Sequence, residues 1–347
     1  MKTPRLTASI LFLCLASASE LFQLPLVAQP NTDYDRAVRK FVAGDYIHAA
    51  EMFAAVEDAR PGATDALLYR AKCFAHTPDF PAAEQSLRNY LRYHPKSSDA
   101  LYMLGFVLNR ENRPVDSLGT YTQAAALETP TSDDLKIVGL NYALLDDYQD
   151  AIKWLERAVA LDPNNKDAWY YLGRAYYTRA QLGDARAAFE RVLDLDPTNA
   201  KAENNLGLVF ETKGDVAAAE QAYRKAIAWG KDATESREQP YVNLGNLLAE
   251  QNRTEEAAGL LETAVSLAPE SGYCHLILGV LYRKVEKLDA ARRELIRATS
   301  LDPQNPVAHY QLGRVYKDRN ELERAKAEFE RTAELESRAA APKSAPH

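Results

Sequence analysis

The sequence repeats itself every 34 residues, and residues 166–199 show the repeat most clearly. Seven residues define this unit, with positions counted from Lys166: Trp169 (4), Leu172 (7), Gly173 (8), Tyr176 (11), Ala185 (20), Phe189 (24) and Pro197 (32). Because residues three or four apart share one face of a helix, these positions predict two successive helices. A proline cannot continue a helix, so Pro197 predicts the end of the second. Such a hairpin leaves apolar outer faces and must stack on its neighbours.

The same positions recur in nine units along the chain. The units are residues 30–63, 64–97, 98–131, 132–165, 166–199, 200–233, 238–271, 272–305 and 306–339. Residues 234–237 interrupt the register after the sixth unit, either as a longer loop or as a hinge that changes the pitch of the stack. Position 15 predicts a left-handed residue at the end of the first helix, because six units carry Gly, Asn or Asp there: Gly44, Asn112, Asp146, Gly214, Asn252 and Asn320.

The pattern W-x2-L-G-x2-Y, followed by A-x3-F and by P, resembles the tetratricopeptide repeat (TPR), and the resemblance covers nearly the whole chain. It implies an all-α fold, a right-handed superhelical solenoid of about nine TPR helix-turn-helix repeats. In that family the first helix of each unit lines a concave groove. Positions 2, 5, 6, 9, 12 and 13 then face a peptide or a partner protein.

These positions give ten candidate residues for a protein-binding groove: Tyr170, Arg174, Tyr177, Asn204, Asn205, Asn243, Asn246, Tyr310, Arg314 and Lys317. Asparagine amides both donate and accept, which suits a peptide backbone, and Tyr and Arg are frequent interface anchors. Asn205 and Asn243 stand at position 6, where O-linked N-acetylglucosamine transferase arrays carry a ladder of asparagines. Two such asparagines would contact only a short stretch of peptide. An equal alternative is that they are solvated polar residues on a helix. The carboxylate clamp of chaperone-binding members is absent, since Lys136 is followed by Leu140 at position 9.

Charge and histidine placement argue against other functions. The net charge of −7 disfavours nucleic acid as a partner, because phosphate neutralisation needs a basic face. The six histidines are scattered, with no H-E-x-x-H motif and no Cys/His cluster, so neither an enzyme nor a metal or other cofactor is predicted. His275 and His309 stand at position 4, where Trp169 stands in the fifth unit, and are expected at the edge of the core.

Residues 1–28 have the features of a signal peptide. Lys2 and Arg5 precede an apolar run over residues 6–15, which is short for a membrane span, and small residues follow. Cleavage is expected after Ala18 or after Ala28. The chain is therefore predicted to be exported, to the periplasm or the extracellular space, without stable membrane insertion. The alternative is a protein anchored in the membrane by an uncleaved N-terminal segment.

Two further expectations concern the cysteines and the C terminus. Cys73 and Cys274 fall in the second and eighth units, too far apart for the Cα separation of about 7 Å that a disulfide allows. Both are predicted to be buried free thiols. Residues 340–347, which contain Pro342 and Pro346, are predicted to be disordered.

The sequence thus predicts a non-catalytic scaffold or adaptor of the cell envelope that binds a peptide or partner protein in its concave groove. Two alternatives remain open at this stage. The chain could be an accessory subunit that recruits substrate to an envelope enzyme such as a glycosyltransferase or a protease. It could also be a structural homo-oligomer that associates through its end units.

Overall fold

The computed structural model describes residues 32–59, 64–230 and 237–340, and these residues form eighteen α-helices and no strand. The odd-numbered helices are the first helices of the nine units: α1 (Asp33–Val42), α3 (Thr64–His76), α5 (Ser98–Arg110), α7 (Ser132–Leu144), α9 (Lys166–Thr178), α11 (Ala200–Thr212), α13 (Gln239–Glu250), α15 (Gly272–Lys284) and α17 (Pro306–Asp318). The even-numbered helices are the second: α2 (Tyr46–Ala59), α4 (Phe80–Tyr93), α6 (Pro114–Ala125), α8 (Tyr148–Leu161), α10 (Leu182–Leu195), α12 (Val216–Trp229), α14 (Thr254–Leu267), α16 (Leu288–Leu301) and α18 (Leu322–Ala340). The all-α repeat fold is confirmed.

At six junctions between units in the described chain, the last residue of one unit caps the first helix of the next. The Asn165 side chain accepts a hydrogen bond from the Ala168 backbone N–H, and Asn199 does the same for Ala202. Such caps satisfy N–H groups that have no partner within the helix. At the other end, α8 stops at Leu161, two residues before Pro163. The proline stop expected from the repeat is confirmed there.

The left-handed residues at position 15 are also confirmed. The backbone angle φ is 79° at both glycines and 59–61° at the other four residues that the pattern named: Gly44, Gly214, Asn112, Asp146, Asn252 and Asn320. Ala180 and Glu286 take the same conformation, with φ of 56° and 59°, although their side chains do not favour it. In both units the next residue's N–H closes the helix end by donating to the carbonyl of Tyr176 or Tyr282. That closure requires a left-handed residue whatever its side chain.

Glycine at position 8 lets the two helices of a unit approach closely. A Cβ atom on Gly173 would lie 2.7 Å from the Phe189 ring, closer than carbon atoms pack. Ala185, the small residue of α10, is fully buried. The expected close crossing at small side chains is therefore present.

The apolar core runs continuously from one unit to the next. In one cluster Leu135 of α7 packs with Leu155 of α8 and Leu172 of α9, so it joins two units. Cys73 and Cys274 are buried free thiols, as predicted. Burial raises the pKa of the Cys73 thiol to about 11, which keeps it protonated and unreactive at neutral pH.

A buried polar network between units 3 and 4 was not predicted. Asn141 is fully buried; its Nδ2 donates to Ser117 Oγ at 2.7 Å, and its Oδ1 accepts from Asn109 Nδ2 at 2.9 Å. Ser117 Oγ donates to the Gly105 carbonyl at 2.6 Å. Because each of these bonds uses a group that water cannot reach, losing one partner would leave an unsatisfied polar atom.

Several predictions fall at or beyond the edges of the described chain. The signal peptide with both cleavage points, residues 234–236 of the insertion and residues 341–347 lie outside the described residues. Helix α18 includes Ala340, which the sequence had assigned to a disordered tail. Alanine has the highest helix propensity, so the last turn extends one residue further than the proline-based boundary. Among the helices described, none is long and apolar enough to cross a membrane.

Candidate protein-binding groove

The odd-numbered helices form the inner wall of the stack. Within the described residues, successive odd-numbered helices contact one another from α5 through α7, α9, α11, α13 and α15 to α17. No two even-numbered helices make comparable contact in the same part of the chain. Helices on the inside of a curve lie closer together than those on its outside. The wall that carries positions 2, 5, 6, 9, 12 and 13 is therefore the concave one.

Four candidate residues come together where α9 faces α11. Asn205 Nδ2 donates to the Tyr170 hydroxyl at 3.3 Å, and the Tyr177 hydroxyl lies 3.0 Å from Thr212 Oγ1. Arg174 is exposed on α9 between the two tyrosines, which the spacing of three and four residues places on one face. The tyrosines and Asn205 are half-buried. This set, Tyr170, Arg174, Tyr177 and Asn205, is called the central cluster below.

Two other candidates are not available to a ligand. Asn204 and Asn243 are only 6% and 8% exposed, and Asn243 Nδ2 donates to Asn204 Oδ1 at 2.9 Å. Gln239 Nε2 donates in turn to Asn243 Oδ1 at 3.2 Å. Their assignment to the ligand-contacting groove is therefore corrected: α11 and α13 approach closely enough for the buried Asn243 amide to donate to the Asn204 amide oxygen. Asn246, on the same helix as Asn243, stays half-buried.

The remaining three candidates follow one another along α17. Tyr310 is 44% exposed, and the guanidinium carbon of Arg314 lies 5.8 Å from the centre of its ring. This distance is typical of a cation–π contact. Lys317 is exposed one turn further on. Units 7 and 8 separate these residues from the central cluster, so the structure divides these candidates into two groups.

In units 5, 8 and 9 the side chain at position 4 bonds to a backbone carbonyl of the preceding unit. Trp169 Nε1 donates to the Pro163 carbonyl at 3.0 Å. His309 Nε2 makes the equivalent contact with the Pro303 carbonyl at 3.2 Å, while its Nδ1 lies 2.6 Å from Glu328. One unit earlier the same contacts are made by His275, to Pro269 (3.0 Å) and Glu294 (2.7 Å). Both histidines lie at the edge of the core, as expected.

Comparison with protein families identifies the repeat that forms this wall. Residues 34–88, 78–133, 142–200 and 174–235 match a model described as tetratricopeptide repeat. Further models of that description match residues 241–272 and 306–337, and a model described as TPR repeat matches residues 279–319. The chain belongs to the tetratricopeptide repeat family. No curated protein matches the TPR chain.

Solved structures with the same TPR fold differ widely in sequence. A TPR protein from Parabacteroides merdae is 17% identical with a TM-score of 0.60, covering 73% of this chain and 98% of its own. The APC/C hetero-tetramer Cut9–Hcn1 is 15% identical with a TM-score of 0.59, covering 81% of this chain. PilF from Pseudomonas aeruginosa is 21% identical with a TM-score of 0.51, covering 57% of this chain and 88% of its own. This TPR chain spans 54% of the Cut9–Hcn1 chain that it matches. At these identities the likeness establishes the fold.

The first helices of the TPR units also carry tyrosines at position 11, outside the groove positions, that bond to the preceding unit. The Tyr282 hydroxyl donates to Glu262 Oε1 at 2.6 Å, and burial together with this carboxylate raises the pKa of Tyr282 to about 12. Tyr176 and Glu156 form the same pair at 2.6 Å. In the described part of the chain no three His, Cys, Asp or Glu residues are placed to hold a metal ion.

Proposed function

We propose that this TPR chain is a non-catalytic scaffold or adaptor that binds a peptide or a partner protein on its concave wall. The proposal rests on the central cluster, where aromatic, amide and cationic side chains face the groove from two adjacent helices. Tyrosine and arginine are enriched among the residues that contribute most to protein interfaces.

The central cluster is already held in place before any ligand arrives. The contacts of Tyr170 with Asn205 and of Tyr177 with Thr212 fix both tyrosine hydroxyls across the junction of units 5 and 6. A side chain that is ordered beforehand loses less conformational entropy on binding. Arg174 has no hydrogen bond or ion pair through its guanidinium among the described residues, so its donors are available to a ligand.

Two arginines that precede the second helix of their units, at the turn between paired helices, are committed to ion pairs between units. Arg113 contacts Glu84 of the preceding unit at 2.8 Å and Asp116 of its own at 2.8 Å. Arg253 makes the equivalent contacts with Glu220 and Glu256, at 2.7 and 2.9 Å. These clusters connect neighbouring units and leave fewer donors for a partner. The contrast favours the concave wall as the binding surface.

The cell envelope is the proposed location of this adaptor, on the basis of residues 1–28. The basic and apolar pattern there supports export. Mass spectrometry of the protein isolated from its host would test it, with a mature N terminus expected at Ser19 or Gln29. An intact Met1 on a protein in the soluble cytoplasmic fraction would contradict export.

Site-specific photocrosslinking in the host tests the binding surface. A benzoylphenylalanine at Tyr170 should capture a discrete partner, whereas the same residue at Tyr93, which is 61% exposed on α4, should not. Arg174→Ala combined with Asn205→Ala should reduce capture at position 170. Equal capture from both positions, or capture that survives the double substitution, would contradict the proposal. A product of twice the chain's mass would indicate self-association, and an enzyme captured in fixed ratio would indicate an accessory subunit.

A further inference from the structure

The concave wall of the last two units is basic, although the chain as a whole carries a net charge of −7. Groove positions 12 and 13 of α15 and positions 9 and 12 of α17 supply four cations: Arg283, Lys284, Arg314 and Lys317. The same groove positions in these two units contain one carboxylate, Asp318, and the next along the wall is the exposed Glu250 of α13. The wall of units 8 and 9 thus has an excess of positive charge.

Not all of these cations are engaged within the molecule. Arg283 Nε lies 2.7 Å from Asp318, an ion pair that connects α15 to α17. Lys284 is exposed and donates to the Ala249 carbonyl, a neutral acceptor. Arg314 lies over the Tyr310 ring, and Lys317 has no ion pair among the residues that the structure describes. Three cations therefore face the groove without a carboxylate partner.

Exposed apolar side chains lie beside the basic ones. Tyr273, Val307 and Tyr310 are 47%, 53% and 44% exposed, at groove positions 2 and 5 of α15 and α17. At a rise of 1.5 Å per residue, position 5 and position 12 of one helix are about 10 Å apart. That is about the diameter of one helical peptide, so a single segment can contact both rows.

We infer that units 8 and 9 bind an acidic protein segment, whose carboxylates face Lys284, Arg314 and Lys317 and whose apolar side chains contact Tyr273, Val307 and Tyr310. The inference rests on the proposed function, since it assigns the chemistry of a ligand to the same concave wall. Charge complementarity of this kind steers association and selects among partners. A nucleic acid fits less well, because Glu250 and Asp318 border the cations and would repel a continuous phosphate backbone.

The test uses the purified full chain and a designed probe. A fluorescein-labelled, C-terminally amidated peptide of about 16 residues, built from Glu, Leu and Ala, is long enough as a helix, at about 24 Å, to cross two units. Its control has Gln at every Glu position. Fluorescence polarisation should give at least about 10-fold tighter binding for the Glu peptide, equivalent to about 1.4 kcal/mol. Binding should weaken as salt is raised, because screening acts over about 8 Å at physiological ionic strength.

Matched variants locate the binding on the wall. Arg314→Glu with Lys317→Glu should weaken the Glu peptide at least about 10-fold, or about 1.4 kcal/mol. Lys153→Glu with Lys326→Glu makes the same net charge change on even-numbered helices, where those side chains are 60% and 71% exposed, and should leave binding unchanged. Circular dichroism of both variants confirms that they remain folded.

Three results would overturn the inference. They are equal affinity for the Glu and Gln peptides, unchanged affinity in the Arg314→Glu, Lys317→Glu variant, and equally tight binding of a single-stranded oligonucleotide of matched charge. Capture of a partner through Tyr170 together with any of these results would refute only the acidic ligand. Binding of the Glu peptide without any capture through Tyr170 would instead support the ligand class and refute the central cluster as the site.

Discussion

Units 5 and 9 carry the same pair of groove residues in different surroundings. Both have tyrosine at position 5 and arginine at position 9, namely Tyr170 with Arg174 and Tyr310 with Arg314. In unit 5 the following unit supplies Asn205, which bonds to the Tyr170 hydroxyl and half-buries the ring. In unit 9 the ring of Tyr310 stays 44% exposed. A residue's position within its unit therefore determines which wall it lies on. The following unit determines how much of that residue a ligand can reach.

The two units also differ in how position 4 supports that wall. Trp169 makes one hydrogen bond, to the Pro163 carbonyl, whereas His309 joins the Pro303 carbonyl to the Glu328 carboxylate. Unit 9 thus has a chain of polar contacts at position 4, as unit 8 has through His275, where unit 5 has an indole with a single hydrogen bond. The predictions below test the differences between units 5 and 9.

The largest effect is expected from filling the glycine at position 8. Gly173→Ala would press a Cβ against the buried Phe189 ring, and such overpacking typically costs about 1–3 kcal/mol. Gly313→Ala meets Phe329 at the same distance of 2.7 Å, but that ring is only partly buried and can move, so a smaller loss is expected. Urea unfolding of both variants measures the difference.

Gly183 provides the control for these substitutions. A Cβ there would have no neighbour within 4 Å, so Gly183→Ala should stabilise α10 by up to about 1 kcal/mol through helix propensity. Equal losses for Gly173→Ala and Gly313→Ala would mean that internal and terminal units pack alike.

The next prediction concerns the stability contributed by Asn204, which the following unit buries. Asn243→Ala would leave the buried Asn204 amide without its partner, at a cost of about 1–3 kcal/mol. Replacing both residues with Ala should cost less than the sum of the two single changes, because no orphaned amide remains. A double-mutant cycle by chemical denaturation measures this coupling, and strict additivity would show that the pair contributes nothing.

Substitutions at position 4 should give a smaller difference in stability between units 5 and 9. Trp169→Phe removes one hydrogen bond, worth about 0.5–1.5 kcal/mol, whereas His309→Phe removes two contacts and leaves Glu328 unpartnered. We therefore expect His309→Phe to destabilise the chain more, and His309→Trp to recover part of the loss through the Pro303 carbonyl. Thermal unfolding at fixed pH measures all three variants. If His309→Trp is no better than His309→Phe, the carbonyl contact does not stabilise the unit.

The smallest effect is expected at position 11. Burial and the Glu156 carboxylate raise the pKa of Tyr176 above its ordinary value of about 10. The folded state thus favours the neutral phenol, and this stabilisation is complete below pH 10 and lost as the pH rises through the folded pKa. Tyr176→Phe should cost below about 1 kcal/mol at pH 8 and make the alkaline loss of stability less steep. An unchanged alkaline transition would contradict this.

Much of the fold could be predicted because its determinants are local. The 34-residue period predicted the contact of Gly173 with Phe189 and the turns between helices. The residue type at position 15 predicted six left-handed residues but not Ala180 and Glu286, whose conformation is required by the hydrogen bond that closes the helix. The availability of groove residues could not be predicted in the same way. Asn204 shares its position in the repeat with Tyr170, and only the distance between α11 and α13 buries it.

The buried network around Asn141 had one signal in the sequence that could have been used. Position 10 is apolar in most of the other units, as at Val107 and Ala175, so an asparagine there is an exception. Ser117 is likewise the single departure from alanine at position 20. Two polar exceptions in adjacent units indicate a shared hydrogen bond, but which atoms meet depends on how the helices pack.

The amide pair between Asn204 and Asn243 means that the units are not interchangeable modules. Deleting residues 238–271 would keep the period intact but bring Ile277, the position-6 residue of unit 8, against Asn204. An aliphatic side chain cannot satisfy that buried amide. Gene rearrangements that add or drop a repeat at this junction should therefore be selected against, even though the helices on either side would still nest.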